Sequence, residues 1–177
     1  MPFSRKTNLL MTGLAVLALW VSDSTPSAAQ QAEYLATHRD WHAFQYSENG
    51  NPVCYVASQP TREEGNYTQR GDVFVLVTHR PAENSRNVVS FVTGYTYQSG
   101  STVSVEIDNE RDFTLITNND TAWATDAQAD QSLVDGMRAG LTMVVQGTSS
   151  RGTLTTDTYS LRGITAALRE IDRACGL

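Results

Sequence analysis

A mainly β fold is predicted for this chain: a single-domain β-sandwich or partly open barrel with two packed α-helices and one disulfide. Three observations predict it. From residue 41 onward, short apolar runs recur between turn signals built on Gly, Pro and Asn. Two stretches, 125–140 and 164–174, carry their apolar residues at helical spacing instead. The chain also holds two cysteines, Cys54 in a strand-like run and Cys175 at the end of the second helical stripe.

The elements follow in order. A short basic start (Arg5, Lys6) leads into the apolar stretch 9–21 and then Ser27-Ala28-Ala29, the small-x-small pattern of a secretory signal cleaved between Ala29 and Gln30. That stretch is shorter than the roughly 20 apolar residues a membrane-spanning helix needs. Cys54 lies far beyond the cleavage point, so no lipid anchor is expected, and the helical close of the chain disfavours a transmembrane β-barrel. Residues 30–177 are then one exported domain with no membrane span after cleavage.

After a polar lead-in, strands are predicted at 41–46, 53–58, 73–78, 88–93, 102–107, 113–117, 142–146 and 153–161. The run 73–77 is apolar on both faces and is expected to lie centrally. In 102–107, Val103, Val105 and Ile107 alternate with Thr102, Ser104 and Glu106, which leaves one face to water. Asn49-Gly50-Asn51-Pro52, Ser99-Gly100 and the tight hairpin Asp108-Asn109-Glu110 mark turns. The first helix starts at Thr125, where Thr125 and Gln128 suit a capping box; Ala129, Leu133, Val134 and Met137 form its stripe, and Gly140 stops it. In the second helix Ile164, Ala167, Leu168, Ile171 and Cys175 share a face, which points Cys175 at the core.

The formal net charge of −6 becomes −7 once Arg5, Lys6 and Asp23 are removed, so nucleic acid and anionic lipid surfaces are poor partners. Lys6 is the only lysine, which removes Schiff-base and lysine-base chemistry from the mature domain. Neither cysteine sits in a C-x-x-C motif, and an oxidising compartment makes an intramolecular Cys54–Cys175 bridge the default over an intermolecular or redox pair. Closing so long a loop is worth about 4–5 kcal/mol in the chain-entropy model.

Candidate chemistry is sparse. The histidines are His38, His42 and His79, and none neighbours a nucleophile motif; His79 reads as a strand-end residue. His38 and His42 would meet at one metal on a helix, but strand spacing puts them about 13 Å apart. The acidic run 108–112 lacks the glycine and spaced carboxylates of a calcium loop and reads as a solvated turn. Residues 147–153 nearly match a phosphate-binding loop, yet Thr153 stands where the lysine belongs and a strand follows. Its hydroxyls and Arg151 could still hold an anion or a partner's carboxylate. The threonine-rich strand 153–161 suits an edge or partner-facing strand, with Thr156 and Thr158 as candidate contacts. Trp41 and Trp123 read as core or rim packing. No catalytic set, cofactor or metal site is read from these residues.

The ordered blocks of the chain nonetheless resemble a known family. The tryptophan strand, Cys54-Tyr55 with Ser58-Gln59-Pro60, Arg70-Gly71-Asp72, Val77-Thr78 with Arg80-Pro81, and residues 89–95 resemble the invasion-associated locus B family. Ser101-Thr102-Val103, Ala122-Trp123-Ala124, Met143-Val144-Val145, Gly147-Thr148-Ser149, Arg151-Gly152, residues 156–161 and Ala174-Cys175-Gly176 continue the pattern, so the resemblance runs from about Trp41 to Gly176. It implies an exported bacterial protein, periplasmic, outer-membrane-associated or extracellular, of a family named for a member linked to host-cell invasion. It brings no catalytic residues.

The expected function is a noncatalytic envelope protein that recognises another envelope or cell-surface protein through edge strands and arginine-bearing loops. Two rivals make different structural demands. A hydrolase of envelope polymers requires a cleft that gathers His79 or His42 with a serine or carboxylate. A small-ligand binder requires an apolar pocket between the sheets.

Overall fold

The structure, a computed structural model, describes residues 31–177. The expected signal segment and the expected Ala29–Gln30 cleavage point lie outside the described residues. Within them the chain forms β1 (Glu33–His38), β2 (Trp41–Glu48), β3 (Asn51–Ser58), β4 (Arg62–Gly65), β5 (Phe74–Arg80), β6 (Ser85–Val92), β7 (Thr102–Ile107), β8 (Arg111–Asn118) and β9 (Thr121–Trp123). Helix α1 (Ala127–Ala139), β10 (Thr142–Thr148), β11 (Leu154–Ser160) and α2 (Ile164–Ala174) complete it. Each predicted strand and both predicted helices are present. Three strands were not predicted. β1 turns into β2 through Arg39-Asp40, with Arg39 at φ 59° in place of a glycine signal. β4 is wholly exposed and charged, and β9 has three residues.

All pairings are antiparallel, in one open eleven-stranded sheet of order β1-β2-β3-β5-β6-β9-β8-β7-β10-β11-β4. The sheet curls on itself. Phe91 on β6 meets Tyr159 on β11 edge to face at 6.2 Å, and the Trp41 indole N–H donates to the Ser160 carbonyl at 3.0 Å, although these strands are not neighbours in the sheet. The partly open barrel is therefore the realised alternative. Its inner face carries the core, from Trp41, Val56 and Val77 round to Val105, Leu115 and Tyr159.

Helix α1 lays Leu133, Val134 and Met137 against β6, and α2 covers β1, β2 and β3 with Ile164, Ala167, Leu168 and Ile171. Each of these Leu, Val, Ile and Met side chains contributes about 1.5–3 kcal/mol when fully buried. The cap of α1 differs from the capping box expected at Thr125. Asp126 is the N-cap, and its carboxylate accepts from the Gln128 and Ala129 N–H groups at 3.0 and 2.9 Å. A carboxylate competes better than a hydroxyl for these donors because it also meets the positive end of the helix dipole. At the other end Gly140 stops the helix as expected.

Cys54 and Cys175 form the disulfide, with a Cα–Cα separation of 6.0 Å, and tie the end of α2 to β3. The acidic turn at 108–110 does more than face solvent. The Asp108 carboxylate accepts from the N–H groups of Leu141 and Thr142, which fastens the β7–β8 hairpin to the start of β10.

Two expectations about strands are corrected. β5 lies between β3 and β6 as expected for a central strand, but only Val75, Val77 and His79 are buried; Phe74 and Leu76 are half-exposed on the outer face. β11 is not an edge, because β4 pairs along it with Thr156 opposite Glu64 and Thr158 opposite Arg62. The true edges are β1 and β4. β1 carries a register shift between Tyr34 and Ala36, while β4 is four residues long and charged. Both are recognised ways of discouraging further strand pairing.

Candidate functional site

An open cleft of about 950 Å³ forms where residues 66–71, entering β5, meet residues 94–96, leaving β6, and the 149–153 loop joining β10 to β11. A buried ion pair sets its floor. Asp157 faces inward because it shares strand parity with Thr155 and Tyr159, both buried. Arg70 reaches it with Nη1 donating to Oδ1 and Nη2 to Oδ2, each at 2.6 Å. Nε donates to the Thr93 carbonyl at 2.8 Å, Nη2 also to Thr93 Oγ1 at 3.0 Å, and Nη1 to Glu63 Oε2 at 3.5 Å. All five guanidinium N–H groups are thereby engaged.

The rings of Tyr67 and Tyr95 lie 5.6 and 5.2 Å from the guanidinium carbon. The Arg70 and Asp157 side chains are 3% and 5% exposed. Burial opposes the charge on Arg70, but hydrogen bonding to Asp157 and its charge outweigh it, so the guanidinium holds its proton more firmly than usual. With its donors spent, Arg70 braces the floor rather than offering a hand to a ligand.

The walls are equally fixed. Gly94 has φ +71°, and a Cβ there would lie 2.3 Å from the Gly71 carbonyl oxygen, so glycine alone permits this close pairing. Gly71 N–H donates to the Gly94 carbonyl at 2.9 Å. In the loop that resembles a phosphate-binding segment, Ser149 Oγ accepts from the N–H groups of Arg151 and Thr153, and Ser150 N–H donates across to the Thr96 carbonyl at 2.7 Å. The loop is a strand connection, and β11 follows it where a phosphate site would need a helix.

Arg151 stands exposed at the rim and makes no ion pair among the described residues. Thr156 and Thr158 lie apart from the cleft lining. Thr156 Oγ1 accepts from the Gln146 amide, and the Thr158 carbonyl accepts from both the N–H and hydroxyl of Thr61. Of the three residues selected from sequence as a contact surface, only Arg151 lines the cleft.

A second surface occupies the outer face of β1, β2, β3 and β5. Cross-strand register places Tyr34 beside Phe44 and Phe44 beside Tyr55. Their rings form a continuous series: Tyr34–Phe44 edge to face at 5.9 Å, Phe44–Tyr55 stacked at 5.1 Å, and Tyr55–Tyr46 edge to face at 6.2 Å. Phe44, Tyr55, Phe74 and Leu76 border a shallow hollow of about 310 Å³. The apolar outer residues of β5, expected to be buried, belong to this face.

The histidines do not gather at the cleft. His42 is exposed and pairs through Nδ1 with Thr37 Oγ1 at 2.7 Å. His38 lies across the β1–β2 hairpin, its Nε2 3.8 Å from Glu170. His79 stands at the end of β5, as expected, and is fully buried. Asn87 N–H donates to its Nδ1 at 3.0 Å, so Nε2 carries the proton and donates to Asp172 Oδ1 at 3.1 Å.

Burial lowers the His79 pKa, and Asp172 only partly offsets this. The unfolded histidine takes up its proton near 6.5 while the folded one resists it. The His79 contribution to stability is therefore complete above about pH 6.5 and is lost as the pH falls below it. Urea unfolding at about pH 7.5 and about pH 5.5 should show this slope, and His79→Gln should flatten it.

The sequence reading missed Arg70 and Asp157 as partners. The available signal was parity: Asp157 alternates in phase with Tyr159 and Leu161, and an inward carboxylate requires a buried cation.

Comparison with known proteins accords with this architecture. A family model described as "Invasion associated locus B (IalB) protein" matches residues 41–172. No curated protein matches. Among solved structures, the crystal structure of invasion associated protein b from Bartonella henselae is similar over 81% of this chain and 96% of that one. The two share 17% sequence identity at a TM-score of 0.53, a likeness of fold.

Proposed function

This chain belongs to the invasion associated locus B family, and from that premise we propose that it is an exported, noncatalytic binding module of the bacterial envelope, periplasmic or outer-membrane-associated. Its occupant is a protein partner that docks on the outer face of β1, β2, β3 and β5. The observation that carries this reading is the unbroken aromatic series Tyr34, Phe44, Tyr55 and Tyr46, half-exposed or exposed on the outer face of the sheet. Interfaces are enriched in Tyr, Phe and Arg at their centres, where a partner covers and desolvates the rings. Arg80 and Glu48 border the face as a polar rim, bonded to each other at 3.3 Å.

Recognition through edge strands gives way to recognition through a face, since β1 is bulged and β4 is short and charged. The cleft lining contains no histidine. His42 and Ser58 both border the hollow on the aromatic face, where the Ser58 hydroxyl donates to the Asp40 carbonyl at 2.6 Å.

The test is site-specific photo-crosslinking in intact cells, with benzoyl-phenylalanine placed at Phe44 or Tyr55 and, as a control, at Glu110 on the β7–β8 turn. Capture of one and the same protein from Phe44 and Tyr55, abolished by Phe74→Ser, is expected. Equal capture from Glu110, or none from the aromatic face, would defeat the proposal. Amine-reactive reagents are unsuitable because the chain after Lys6 lacks lysine.

A further inference from the structure

We infer that the cleft over the Arg70–Asp157 pair is a carbohydrate site, distinct from the aromatic docking face, that holds an oligosaccharide segment with an acidic sugar at Arg151. The argument rests on what the lining offers. Asn66 and Gln69 present planar amides, Thr68, Thr96 and Ser150 present hydroxyls, and Arg151 supplies one cation free of any ion pair. Amides and hydroxyls both donate and accept, so this wall matches a ligand that is itself a dense array of hydroxyls.

Other ligand classes fit worse. The lining holds no aliphatic or Phe side chain for an apolar molecule and no Asp, Glu, His or Cys for a metal. A polyanion would need several free cations, and Arg70 has no donor left. The half-exposed ring of Tyr67 adds an aromatic surface against which the C–H face of a sugar can pack. Its volume of about 950 Å³ accommodates several sugar units. Because the floor and loop are already fixed by Arg70, Ser149 and Gly94, little ordering is required on binding.

The experiment is amide-resolved NMR titration of the disulfide-bonded exported chain with three probes: chitohexaose, hexagalacturonate and inorganic phosphate. A printed array of bacterial and animal glycans runs in parallel. Saturable shifts confined to residues 66–71, 94–96 and 149–153 with an oligosaccharide are expected. Arg151→Gln should weaken an acidic oligosaccharide about tenfold and a neutral one little, while Asn66→Ala with Gln69→Ala weakens both. Tyr55→Ser on the aromatic face should change neither, which separates this site from the protein-docking reading. Phosphate binding as well as any sugar, shifts confined to the aromatic face, or no binding across the array would each overturn the assignment.

Discussion

Asp157→Ala, made alone, is expected to destabilise the fold by about 3–5 kcal/mol, because it leaves the Arg70 guanidinium buried without its counter-charge. Nothing nearby replaces the lost oxygens in kind. Glu63 is a longer contact at 3.5 Å on an exposed strand, and Thr93 already accepts two of the five N–H bonds. The double change Arg70→Met with Asp157→Leu should recover most of that loss, since an ion pair gains little net energy over an apolar pair of similar volume. Urea unfolding of both single variants and the double variant gives the coupling. Single-variant losses that simply add in the double variant would refute the pair as a coupled unit. The oligosaccharide binding inferred above should fail in the double variant even where stability returns, because the floor would no longer hold Tyr67 and Tyr95 against a cation.

Loss of the disulfide is the second large effect. Cys54→Ser with Cys175→Ser is expected to lower stability by about 4–5 kcal/mol, the loop-closure value for a separation of 121 residues. For a domain of this size that is on the order of 10–15 °C in Tm. The damage should be uneven. Helix α2 packs its apolar face on β1, β2 and β3, Asp172 adds polar contacts to His79 and Arg138, and the bridge holds its final turn. Amide exchange should therefore rise first in residues 164–175, while β7, β8 and β10 keep their protection. Thermal melts with and without reductant, together with exchange by mass spectrometry, check both statements. A uniform rise in exchange would show that the bridge acts only through the unfolded chain.

What the sequence made legible was whatever depends on local alternation. β7 reads from Val103, Val105 and Ile107, α2 from its apolar stripe, and the disulfide from a chain with two cysteines and no C-x-x-C motif. Elements stabilised by their neighbours were not legible. β4 is Arg62-Glu63-Glu64-Gly65, a sequence with no apolar signal, and it is a strand because β11 offers it a ladder. β9 is three residues held between β6 and β8. The site suffered from the same blindness: Arg70 and Asp157 are charged and so read as surface, and only the curl of the sheet brings them together. β5 taught the converse. Its doubly apolar run indicated burial on two sides, whereas its outer residues serve an exposed aromatic face.

The pairing of β4 with β11 also constrains when the cleft can form. Residues 62–65 find their partners at 155–158, after almost the whole sheet has been synthesised. Such distant contacts carry the loop-closure cost before they return any stabilisation. Arg70 can therefore meet Asp157 only once β11 is in the chain, across 87 residues, a shorter span than the 121 that Cys54–Cys175 closes. The cleft is lined from segments far apart in the chain, so a chain that presents it has already brought residues 66–71 onto residues 149–155.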